Sequence, residues 1–110
     1  MFIAHQVSIE VVKALRPLVA VLKPQDKDLA DQILRAASSV ALNLGEGSKR
    51  EGRDRGYHYR IAAGSCAEVR SALQVASGWG YLDGLDLSAI ESLLDREAAL
   101  LYRLAHPRAA

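Results

Sequence analysis

The chain has 110 residues, enough for one domain that buries roughly 65% of its unfolded surface without covalent staples. Its 14 Lys and Arg are balanced by 13 Asp and Glu, so the net charge of +1 excludes a strong whole-molecule attraction for polyanions. The single cysteine excludes an internal disulfide, which suits a reducing compartment, and no apolar run approaches the roughly 18 residues that span a bilayer.

The first helix is predicted over about residues 3–22. Val7, Val11, Ala14, Leu18 and Val21 form one apolar stripe at helical spacing, and Val12, Leu15, Val19 and Leu22 form a second beside it. Two stripes exceed what one core contact requires. Glu10 and Lys13 interrupt the apolar order of a secretion signal, so a cytoplasmic protein with no membrane partner is expected. Pro17 removes a backbone hydrogen bond and crowds the preceding turn, which predicts a kink. Lys23-Pro24 should end the element, because the residue before a proline avoids helical geometry.

The second helix is predicted over about residues 27–46, opened by carboxylates between Asp26 and Asp28 that suit the positive end of the helix dipole. Leu29, Ile33, Ala36, Val40 and either Asn43 or Leu44 form its inward stripe. Ala37, Ser38, Ala41 and Gly45 make a smooth strip beside it. Asn43 and Glu46 are polar groups near that face and need partners if buried. A hydrogen-bonded structural pair is the simpler reading of these two, and a ligand or RNA contact the sharper one.

A glycine-punctuated joint, GEGSKREGRDRG, follows from Gly45 to Gly56. It is not a nucleotide-binding loop: Lys49 is preceded by Ser48 and followed by Arg50, and the segment leaves a helix, where a phosphate loop leaves a strand. Gly47 is expected to cap the helix C-terminus. Lys49, Arg50, Arg53, Arg55 and Arg60 gather here, diluted by Glu51 and Asp54. With Tyr57 and Tyr59 available to stack on bases, they form a candidate nucleic-acid surface. A solvated charged turn is the plain alternative.

The third helix is predicted over about residues 53–80, roughly 40 Å long. Its inward positions read Ile61, Ser65, Val69, Ala72, Ala76 and Trp79, flanked by Ala62 and Leu73. The small run from Ala62 to Ala67 matches the small strip of the second helix, so the two should pack closely. Gly64, about 1 kcal/mol worse than alanine in a helix, is expected at the point of close approach. Cys66 reads as a buried filler, since no histidine shares its face at a neighbouring turn.

Tyr81-Leu82-Asp83-Gly84 reads as a turn. Ser88 and Glu91 read as a capping box opening a fourth helix over about residues 87–105. Its stripe is Leu87, Ile90, Leu94, Leu101 and Leu104, widened by Leu93 and Leu100. His106-Pro107 closes it, leaving a short tail with Arg108. Asp83, Asp86, Glu91, Asp95 and Glu97 make this quarter acidic, as a counterweight to the basic joint. His5, His58 and His106 are scattered without ligand spacing, so neither a metal nor a cofactor is expected.

Four amphipathic helices with short joints and no strand signal predict an all-α fold: a single antiparallel up-down-up-down four-helix bundle over residues 1–110. The surplus apolar face predicts self-association. No nucleophile, base and orienting group occur together. Glu46, Glu68 and Asn43 could line a pocket, but they do not make an enzyme.

The pattern Leu29, Asp31, Gln32, Arg35, Ala36, Ser39, Val40, Asn43, Leu44, Glu46, Gly47 and Arg50 resembles the signature of 23S rRNA-intervening-sequence proteins. Ala62, Gly64, Ser65, Glu68 and Val69, followed by Leu73, Ala76 and Gly80-Tyr81-Leu82, are similar to the same family's third helix. The resemblance implies a homopentameric ring of four-helix bundles with no established enzymatic activity, and it marks Gln32, Arg35, Asn43, Glu46 and Glu68 as the motif's polar residues. The family's name implies an association with ribosomal RNA, so RNA or DNA is one expected partner. A protein-interaction scaffold that binds no nucleic acid is the alternative.

Overall fold

The computed structural model describes residues 2–107. Arg108, expected in the tail, lies outside the described residues. Four helices account for the fold: α1 (Ile3–Leu22), α2 (Lys27–Ser48), α3 (Gly52–Gly78) and α4 (Ser88–Ala105), with no strand among the described residues. α1 packs against α2 and α4, and α3 packs against the same two helices, most extensively against α2. The result is a rod of 47 × 23 × 22 Å. No described helix is long and apolar enough to cross a membrane.

Each helix buries a seam that advances by alternating steps of three and four residues. On α3 the seam is Tyr59, Ala62, Cys66, Val69, Leu73 and Ala76. A step averaging 3.5 residues keeps one line of side chains facing its neighbours along a slightly supercoiled path. The inward face is therefore rotated from the expected one. Ile61 and Ser65 are only half-buried. Trp79, expected in the core, is 71% exposed, because α3 ends at Gly78 and buried Leu82 closes that end of the bundle.

α1 runs through Pro17 as one helix. It buries Val7, Val11, Leu15, Leu18, Val19 and Leu22, whereas Val21 is exposed. Part of the surplus apolar surface does lie on α1, at Ile3, Ile9 and Val21. The largest members of that surplus are Trp79, Tyr102 of α4 and Leu42 of α2, the last 69% exposed. On α2, Leu44 and not Asn43 completes the inward stripe.

The helix ends show which local signals act. Asp26 caps α2, its carboxylate accepting from the Leu29 N–H at 3.0 Å. Ser88 and Glu91 form no capping box: the Ser88 N–H donates to the Asp86 carboxylate at 3.0 Å, two residues upstream. That contact holds the Asp86 carboxyl below the usual carboxylate range. α3 stops in a Schellman turn, with the Gly80 N–H donating to the Ser77 carbonyl, the Tyr81 N–H to that of Ala76, and Gly80 at φ +80°.

Candidate nucleic-acid interface

The α2–α3 joint is where the fold gathers the basic residues, and glycine sets its geometry. Gly47 is not the cap; it lies buried in the last turn of α2, which ends at Ser48 with Lys49 in right-handed geometry. The left-handed residue of the joint is Gly52, at φ +58°. A Cβ on Gly47 would stand 2.6 Å from the Tyr59 ring. Close approach therefore falls at Gly47, where the sequence suggested Gly64; a Cβ at Gly64 would meet nothing within 4 Å.

This packing divides the two candidate stacking residues. Tyr59 is 7% exposed and lies against Phe2, ring centroids 6.1 Å apart, so it is a core residue and is not open to a base. Tyr57 points outward, its ring meeting His58 edge-on at 5.5 Å.

The cations divide in the same way. Arg50 is held between Glu46 at 3.3 Å and Asp54 at 3.1 Å, so much of its charge is answered locally. Arg55 donates from Nε at 3.3 Å to the Gly47 carbonyl, which already accepts from the Arg50 N–H, and the added bond fixes the side chain. Lys49, Arg53 and Arg60 are exposed and make no ion pair among the described residues. The surface that remains is a rim of cations with Tyr57 beside it.

Beneath the rim a polar seam ties α2 to α3. The Asn43 amide donates to the Ser39 carbonyl at 2.9 Å and to its hydroxyl at 3.2 Å, while its oxygen meets His58 Nδ1 at 2.9 Å. Ser65 donates to the Ser39 hydroxyl at 2.9 Å. The amide oxygen only accepts, so Nδ1 carries the proton in this contact. Asn43 is thus satisfied within the fold, but its partner is His58 and not Glu46. Gln32, Arg35, Glu46 and Glu68 are all exposed, so Glu46, Glu68 and Asn43 do not enclose a pocket.

Sequence reasoning missed one buried ionisable residue. Glu97, counted among surface acids, is 1% exposed. The available signal was its phase: Leu87, Ile90, Leu94, Glu97, Leu101 and Leu104 follow one seam. Cys66 lies buried beside it, and its thiol is pushed up to about 12, first by burial and then by the neighbouring Glu97. No group of three or more metal-ligating side chains occurs among the described residues.

Residues 2–103 match the family described as 23S rRNA-intervening sequence protein. No curated protein matches the chain in sequence. Among solved structures, the fold is similar to a crystal structure from Bacteroides thetaiotaomicron, a protein of unknown function from the S23 ribosomal protein family. The TM-score is 0.82 at 21% identity, covering 94% of this chain and 98% of that one.

Proposed function

The chain belongs to the 23S rRNA-intervening sequence protein family, and on that premise we propose that it is a non-enzymatic, cytoplasmic bundle that contacts RNA through the basic end of α3. The observation that carries this reading is the rim itself: Lys49, Arg53 and Arg60 stand exposed and without carboxylate partners, next to exposed Tyr57. Phosphate oxygens pair with such cations, and an aromatic face accepts an unstacked base. The family's name, which refers to 23S rRNA, favours RNA over DNA.

One chain offers too little charge for tight binding, and assembly supplies the rest. Short joints at 23–26 and 49–51, with α1 closing on α4, support an antiparallel up-down-up-down order that puts the α2–α3 joint at one end of the rod. A ring of five would repeat that end around one rim and turn a weak patch into a multivalent one. If the ring neutralises about five phosphates, log affinity for a duplex falls against log salt with a slope near −4.5. Light scattering after gel filtration reads the assembly; a monomer at micromolar concentration would overturn the ring.

Fluorescence anisotropy with structured RNA and with duplex DNA, at low and near-physiological salt, tests the surface. The variant is Lys49→Glu, Arg53→Glu and Arg60→Glu combined, all on exposed side chains. Binding that is steep in salt and lost in the variant is expected, with Arg50→Ala far milder because Glu46 and Asp54 already answer that charge. Absence of binding by the assembled native protein at low salt rejects the reading.

Exposed Trp79 and Leu42 favour a second reading, a protein-interaction scaffold. It predicts an assembled protein with no salt-dependent affinity for RNA.

A further inference from the structure

Glu97 occupies a position that helix periodicity reserves for an apolar side chain. Ile90, Leu94 and Leu101 of α4 are buried on the same seam, one or two turns away. Neither Glu97 carboxylate oxygen has a hydrogen-bond partner among the described residues. The Cys66 thiol of α3 lies against it, near enough to influence its titration, but the thiol is a weak donor and leaves both oxygens unsatisfied. Ser8 of α1, the other buried polar side chain of the core, donates to the His5 carbonyl at 2.6 Å.

An ionised carboxylate in such a place has lost its water and gained only the weak Cys66 thiol contact in return. Keeping the proton is the less costly state, and burial accordingly raises the Glu97 carboxyl above the usual range. We propose that Glu97 makes the seating of α4 proton-dependent: protonated, it lets α4 lock against α1 and α3, and ionised, it drives α4 outward until the carboxylate meets water.

Among the described residues no countercharge relieves it. From α3, Cys66 is neutral across the physiological range, and Arg70 is engaged at the surface with Asp95 of α4 at 2.8 Å. From α1, His5, Glu10 and Lys13 share a separate surface groove with Arg96 of α4, and none of them acts on Glu97. The unfolded chain therefore gives up the Glu97 proton before the folded one. The stabilisation is complete below the unfolded value of 4.5 and is lost as pH climbs through the higher folded value.

Thermal unfolding of the native protein and of Glu97→Gln, from about pH 5 to about pH 9, tests this. Glutamine keeps the size and cannot ionise, so its own burial cost is the same at every pH. His5 and the surface charges are common to both proteins. The native midpoint should fall relative to the variant by about 4 °C or more as pH rises. Amide exchange in α4 should accelerate over the same interval in the native protein alone, after correction for the intrinsic rate. A carbon-13 titration of the Glu97 carboxyl in the native protein gives the answer even if the variant fails to fold. Parallel melting profiles, or a carboxyl that titrates in the ordinary range, would sink the proposal.

Discussion

Gly47 and Tyr59 meet at a separation that leaves no room for a side chain: a Cβ on Gly47 would stand 2.6 Å from one ring carbon and 2.9 Å from the next. The ring cannot swing aside freely, since it is buried and packed on Phe2. Gly47→Ala gains about 1 kcal/mol of helix propensity but incurs an overpacking cost of about 1–3 kcal/mol, so a net loss of stability is expected. Urea denaturation of Gly47→Ala with and without Tyr59→Ala separates the two terms. The loss should shrink or reverse once the ring is gone.

The Asn43 amide bridges Ser39 and His58 and so ties α2 to α3 across the joint. Asn43→Ala should cost about 1–2 kcal/mol, because it leaves polar partners without a mate in a half-buried seam. A double-mutant cycle with His58→Ala should give a coupling of about 0.5 kcal/mol or more. Strict additivity would mean that the pair is incidental.

Cys66 should be inert in the native protein. Its thiol is pushed up to about 12, chiefly by burial, so while α4 stays seated almost no thiolate exists to react. Alkylation by iodoacetamide should run at least ~100-fold slower than in denaturant. Comparable rates in the two states would show that the α3–α4 seam opens readily.

The two candidate N-caps should separate cleanly. Asp26→Ala removes the acceptor for the Leu29 N–H and should cost about 1 kcal/mol. Ser88→Ala removes a hydroxyl that caps nothing and should stay within about 0.5 kcal/mol of native. Thermal melts of the two variants compare them directly. A Ser88→Ala loss as large as that of Asp26→Ala would restore the capping box.

Much of this molecule is legible from residue order alone. The apolar periodicity determined four helices, and their bounds came within two residues because Asp26, Lys23-Pro24 and Gly80 act on the chain locally. The clustering of cations in the joint is likewise a property of sequence. Tertiary structure decided which of them remain available: Arg50 is answered by Glu46 one turn before it and Asp54 one turn after, and Tyr59 is taken into the core by the space that Gly47 leaves. It also placed Trp79 outside and Glu97 inside. A helical period specifies a face to within a few tens of degrees, and a residue at the margin goes in or out according to what the neighbouring helices leave vacant. For Glu97 the phase is present in the sequence, but its charge argued for the surface; packing places it inside, where burial raises the carboxyl above the usual range.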